Sequence, residues 1–166
     1  MILFAVLVAA FAVSYLVLRH RRYRDAARWA MAVAMVFAGV SHFADPASFV
    51  QMLPEFVPYR PAVILATGLI EILLGIGLLI PRRLRRPVAL ALVAYLVAVF
   101  PANVYVAATA VSVDDLGWGN PWLRLPFQAV YIAWVLWAVP DALQPLRGIG
   151  RRRRSPARIG HEPVAR

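Results

Sequence analysis

Residues 61–80 read PAVILATGLIEILLGIGLLI, twenty positions with a proline at the start and a single ionisable side chain, Glu71. Twenty residues of α-helix extend about 30 Å, the thickness of a bilayer's hydrocarbon core. Pro61 suits a first helical turn, whose N–H groups have no partner within the helix. The stretch therefore predicts a transmembrane helix. The same reading recurs at 2–18, at about 28–43 (with Asp25 as an earlier start), at 87–111 and at about 126–143. Pro87 and Pro126 are expected in first turns, as Pro61 is. The expected fold is all-α: a polytopic membrane helical bundle of four or five spans.

The rest of the chain fits that reading. Of its 166 residues 62% are apolar and 16% charged, against roughly 45–50% and about 25% in soluble domains. Its 18 basic residues are all arginine, which gives a net charge of +10. Arginine clusters neutralise nucleic-acid phosphates, but nothing here resembles a base-reading module, so no nucleic-acid partner is expected. The arginines instead follow the breaks between spans: 16 of the 18 fall in 19–28, 82–86 and 147–166, leaving Arg60 and Arg124 on the other side. Cytoplasmic loops are enriched in arginine, so the heavy side is the cytoplasm. The bilayer itself is the first partner, with the N-terminus outside and the C-terminus cytoplasmic. A secretory signal carries its positive charge before the apolar core. Here the arginines come after it, which predicts a retained anchor. The expected units are an anchor and basic loop (1–27), a membrane domain (28–146) and a disordered basic tail (147–166). Tyr59, Trp118 and Trp122 are expected in the outer headgroup layer, which favours amphipathic rings. With no cysteine, the chain itself does no thiol–disulfide chemistry.

In the outer break, Asp45 before Pro46 reads as an N-cap and a first-turn proline. Either a short helix over 46–53 lies on the membrane surface with Phe49, Val50 and Leu53 to one side, or the segment is an apolar loop. Glu71 is the expensive residue. A charge at the bilayer midplane costs roughly 2.5–3.5 kcal/mol on insertion scales and is usually paired or functional. Thr67, Gly68 and Gly75 share its helix face and admit a close neighbour, so Glu71 should point into the bundle. His42 and Ser41 end one helix, Asn103 follows Pro101, and Arg124 and Gln128 open the last helix. In an up-and-down order these ends meet on the outer side, which predicts a polar pocket floored by Glu71. The alternative is a set of interhelical hydrogen bonds, each worth about 0.6–2 kcal/mol. The histidines at 20, 42 and 161 are too far apart for a metal cluster, and no P-loop or glycine-rich dinucleotide motif is present. Ser14, Ser41 and Ser48 have no triad partners, so an autonomous enzyme is not expected and no catalytic residue is assigned.

Gly39-Val40-Ser41-His42-Phe43 followed by Pro54-Glu55-Phe56-Val57-Pro58 resembles the opening of the DoxX family of small bacterial membrane proteins, which implies a bacterial cytoplasmic (inner) membrane. Thr67-Gly68-Leu69-Ile70-Glu71 with Gly75 looks like that family's glutamate-bearing helix. Phe100-Pro101-Ala102-Asn103-Val104 and Leu123-Arg124-Leu125-Pro126-Phe127-Gln128 complete an ordered series over roughly residues 28–140. The resemblance implies a four-helix membrane core, to which 2–18 adds an extra N-terminal helix. It also implies an accessory subunit of a quinone- or thiol-linked redox system, with a membrane or exported redox protein as partner and quinone as the cofactor to consider. Two other readings of the same residues stand beside it: a module that binds or transports a small lipophile, and a structural assembly partner.

Overall fold

The computed structural model describes residues 2–18, 22–109 and 121–143. The expectations for Trp118, for the end of the fourth span beyond 109 and for the basic tail lie outside the described residues. Among the described residues six α-helices run α1 Ile2–Val17, α2 Tyr23–Ala44, α3 Pro46–Val50, α4 Arg60–Gly77, α5 Arg82–Thr109 and α6 Arg124–Ala138, with 3-10 turns at Pro121–Leu123 and Pro140–Leu143. Among the described residues there is no strand. Helices α2, α4 and α5 are long and apolar enough to cross a membrane, and α1 is a shorter apolar helix. The described residues form an all-α structure, and its long apolar helices are those of a membrane protein.

Two boundaries differ from the sequence expectation for the same reason. Arginine is a good helix former, so a run of charges need not break a helix. α2 starts at Tyr23 rather than near Arg28, because Arg28 and Asp25 pair across one turn at 2.5 Å. α5 starts at Arg82, which puts Pro87 inside the helix rather than in its first turn. The N–H that proline lacks would have met the carbonyl of Arg83, close to an exposed helix end where water can take its place. Pro61 does occupy the first turn of α4. The residue before that helix, Tyr59, sits in the left-handed region at φ 52°, a conformation that costs a non-glycine residue about 1–3 kcal/mol. It turns the outer segment into α4.

α2 is the hub, packed against α1, α4 and α6. Its seam with α4 is the closest. A Cβ added to Gly68 would lie 2.7 Å from the His42 Cβ and 2.9 Å from the Gly39 carbonyl oxygen. One added to Gly75 would lie 2.9 Å from the Ala32 carbonyl oxygen. Glycine is required at both positions because only hydrogen fits there. α6 is tied to α2 by the Trp134 indole N–H, which donates to the Ala27 carbonyl at 3.0 Å. α1 closes the remaining side. Its Leu7 is fully buried, and its Phe4 ring lies 4.8 Å from Phe127 of α6.

Of the two alternatives for 46–53, a short helix or an apolar loop, the structure has a helix over the first part only, α3. After Val50 the chain continues in turns, with Met52 N–H on the Phe49 carbonyl and Leu53 N–H on that of Val50. Asp45 is its N-cap, accepting the Ser48 N–H at 3.3 Å. Asp45→Ala is expected to cost about 1 kcal/mol of stability, a typical value for a lost N-cap. A thermal midpoint equal to that of the wild type would show that the cap contributes nothing.

Candidate functional site

A cavity of about 210 Å³ lies where α2 ends and α4 and α6 begin. Every main helix lends it a wall, from Leu3 of α1 to Phe127 of α6, and Phe49, Met52 and Leu53 of the α3 segment cover it. Most of the lining is apolar. Met31, Met35 and Met52 all border it, and unbranched thioether side chains adapt readily to the shape of a guest.

The polar groups form two clusters. In the first, the Tyr95 hydroxyl on α5 donates to Glu71 Oε1 on α4 at 2.8 Å. Glu71 Oε2 is buried without a hydrogen bond and lies 3.8 Å from His42 Nε2 on α2. Both side chains are only 12% exposed. The other ring nitrogen, Nδ1, is 3.1 Å from the Ile64 carbonyl and 3.2 Å from Thr67 Oγ1. A carbonyl only accepts, and Thr67 already gives its own hydrogen to Ile64 at 2.8 Å. Nδ1 is therefore the nitrogen that carries the proton, and Nε2 turns its lone pair toward Glu71. The His42 ring also packs on Phe49, centroid to centroid 4.2 Å. The sequence of α4 builds half of this arrangement, because Ile64, Thr67 and Glu71 follow one another at helical spacing along one face.

In the second cluster the Asn103 side-chain NH₂ donates to Gln128 Oε1 at 2.8 Å, and the Gln128 NH₂ donates to the Leu96 carbonyl. The carbonyl that Pro101 leaves without its helical N–H is that of the next residue, Val97, so the Gln128 bond falls beside the proline's gap rather than in it. Both ends of the Gln128 amide are thus engaged in joining α6 to α5. Arg124 lines the cavity near its cover and donates to Met52 Sδ at 3.3 Å.

Glu71, His42, Thr67, Asn103, Gln128 and Arg124, all expected from the sequence, border this one cavity. Ser41 does not join them; its hydroxyl turns back to the Phe37 carbonyl of its own helix at 2.8 Å. Tyr95 was absent from the expected set although it makes the shortest contact to Glu71. Its signal was available: Tyr95, Val99 and Asn103 recur every four residues on α5, so hydroxyl and amide share one stripe. Among the described residues no group of acidic, histidine or cysteine side chains could hold a metal ion.

These features define a helical bundle of membrane type with a carboxyl and an imidazole facing each other inside an apolar cavity. The chain belongs to the family described as a domain of unknown function, DUF8561, which matches residues 31–139. Comparison with curated proteins and with solved structures finds no match.

Proposed function

We propose that this chain is an accessory subunit of a membrane redox system, whose outward-facing cavity holds the ring of a small lipophile of quinone type beside Glu71. The observation that carries the reading is Glu71 Oε2, buried, without a hydrogen bond, and separated by 3.8 Å from a histidine lone pair. Buried polar atoms left unmatched are uncommon and call for a partner. A guest hydroxyl seated beside that gap, such as the reduced (quinol) form carries, can donate its hydrogen to Glu71 Oε2 or to His42 Nε2. Size agrees: an apolar cavity of about 150 Å³ takes a benzene ring, and this one, at about 210 Å³, accommodates a ring with its substituent atoms.

A quinone, when bound, supplies carbonyl oxygens that take up protons as electrons arrive from a partner redox protein. The chain's part is to hold and move protons. Tyr95 fixes Glu71 Oε1, so the free carboxyl oxygen faces the guest. His42, with Nδ1–H held by Ile64 and Thr67, offers Nε2 as the relay between Glu71 and the outer end. Imidazole suits this role because its ordinary pKa lies near neutrality.

In this reading α2, α4, α5 and α6 form the four-helix core of DoxX type, and α1 is the added helix. Helix α6 counts as a span with its flanking 3-10 turns, 121–143 in all. The match over 31–139 supports the division, since it begins after α1. The arginine distribution supports an inner membrane setting with the cavity opening outward. A single cysteine in place of Leu84 is expected to react with an impermeant reagent from the cytoplasm, and one in place of Leu116 from outside. The opposite pattern would reverse the orientation.

The functional test is purification in mild detergent, followed by solvent extraction and identification of any lipophile that stays bound. A ring-bearing lipophile present in the wild type and lost in both Glu71→Gln and His42→Ala, with thermal midpoints preserved, is the expected outcome. Equal ligand content in all three proteins would sink the proposal. A lipophile that is not redox-active, held by the same residues, would favour the binding or transport reading.

A further inference from the structure

At the opposite end of the bundle a second cleft, of about 200 Å³, opens between the start of α2, the start of α5 and the turn after α6. Arg24, Asp25, Arg28 and Arg85 line it, with Val139, Pro140 and Asp141 on the α6 side. Arg28 is the unusual member. Its side chain is 9% exposed, and its Nη2 donates to Asp25 Oδ1 at 2.5 Å. Its Nη1 is buried with no hydrogen-bond partner. A buried guanidinium with two of its five N–H donors unmatched is costly unless an acceptor completes it.

The acceptors at hand do not suffice. Asp25 already takes Arg28 and also faces Arg22 at 3.8 Å. Arg85 spends its Nε–H on the Ile80 carbonyl at 3.1 Å, which leaves its terminal nitrogens for another group. Three guanidiniums against the carboxylates of Asp25 and Asp141 leave the lining net positive. The first turns of α2 and α5 add the positive ends of two helix dipoles. Phosphate suits this lining, because the planar fork of arginine matches its oxygens two at a time.

The aromatic residues set the depth. Tyr23 stacks on Trp137 with centroids 5.8 Å apart, and the Arg24 guanidinium sits 5.8 Å above the Tyr23 ring. Both rings are nearly half exposed. Such rings mark the headgroup layer, where lipid phosphates lie. We propose that this cleft is a seat for a phosphate group, that of an anionic membrane lipid, held by Arg28 at its base and by Arg24 and Arg85 at its rim.

The site shares no residue with the cavity around Glu71, so it stands or falls independently of the redox reading. The test is native mass spectrometry of the detergent-purified protein titrated with phosphatidylglycerol, with phosphatidylcholine and with inorganic phosphate. Phosphatidylglycerol is expected to bind more tightly than phosphatidylcholine. Arg24→Gln and Arg85→Gln, both at the rim, are each expected to weaken it about tenfold, the effect of losing one charge-assisted contact. Asp25→Asn should tighten binding by removing a competing carboxylate. Arg60→Gln, at the far end of the bundle, should leave it unchanged. Displacement of the lipid by inorganic phosphate would support the phosphate seat and assign its source to solution. Equal binding of both lipids, or an Arg60→Gln effect as large as that of Arg85→Gln, would overturn the proposal.

Discussion

Glu71→Gln is expected to empty the cavity around residue 71 without unfolding the bundle. Glutamine keeps the size and shape of glutamate, and its carbonyl still accepts the Tyr95 hydroxyl now bonded to Oε1 at 2.8 Å. What changes is the second position, where an NH₂ group replaces the oxygen that lies 3.8 Å from His42 Nε2. The amide can donate but neither gives up nor takes up a proton, so the exchange assigned to that oxygen ends. Losing one hydrogen bond to a charged group is worth about 1.5–3 kcal/mol, or about ten- to a hundredfold in ligand retention. Stability should change by less than about 1 kcal/mol, since no partner is left unmatched and one burden of burying an ionisable group is lifted. Retention of extracted lipophile and the thermal midpoint are both read from one preparation. Tyr95→Phe should behave differently, losing stability by about 1–2 kcal/mol because it strips a bond from a buried carboxyl. If Glu71→Gln retains its ligand in full, the carboxyl has only a structural role.

The sequence made Glu71 conspicuous because it is the lone ionisable side chain in twenty apolar positions. It made His42 conspicuous for a similar reason, as a titratable residue at the end of an apolar run. Tyr95 is less conspicuous, because a tyrosine inside an apolar helix raises no hydropathy signal and lies far from the helix ends where polar residues gather. The structure places it near the middle of α5. The bond from Trp134 to the Ala27 carbonyl joins residues 107 apart, and no local pattern announces such a pairing. The start of α5 differs from the sequence expectation for the opposite reason. Four arginines looked like a break, although arginine propagates a helix well. Helices with apolar faces are legible from period and length, whereas the partners of a buried polar group depend on which faces meet. At Gly68 and Gly75 even that is partly legible, since a row of small residues at helical spacing announces a close neighbour.

That seam carries the largest expected effect on stability. At Gly68 an added Cβ meets the His42 Cβ at 2.7 Å and the Gly39 carbonyl oxygen at 2.9 Å, while the Phe43 ring lies 3.1 Å away. Two of these three atoms belong to the backbone or are rigidly attached to it, so the neighbour cannot yield by changing a rotamer. α2 and α4 must separate, which also loosens the Thr67 and Ile64 contacts that hold the His42 ring. Overpacking a close-packed site costs about 1–3 kcal/mol, and a leucine here, adding four carbons at a backbone contact, should reach or exceed the upper end. Gly68→Leu is therefore expected to lower stability by about 3 kcal/mol or more and to lose ligand together with it. Gly77→Ala provides a contrast: its nearest contact is the Val88 Cγ1 methyl at 2.9 Å, on a side chain that can rotate away. Its cost should stay near or below about 1 kcal/mol, with ligand retained. Denaturant titration in detergent micelles separates the two, and the paired readout distinguishes seam from site. Glu71→Gln loses ligand at unchanged stability, whereas Gly68→Leu loses both. A Gly68→Leu protein that unfolds at the wild-type midpoint would mean that α2 and α4 do not meet at this distance, and the gap between His42 and Glu71 would lose its support.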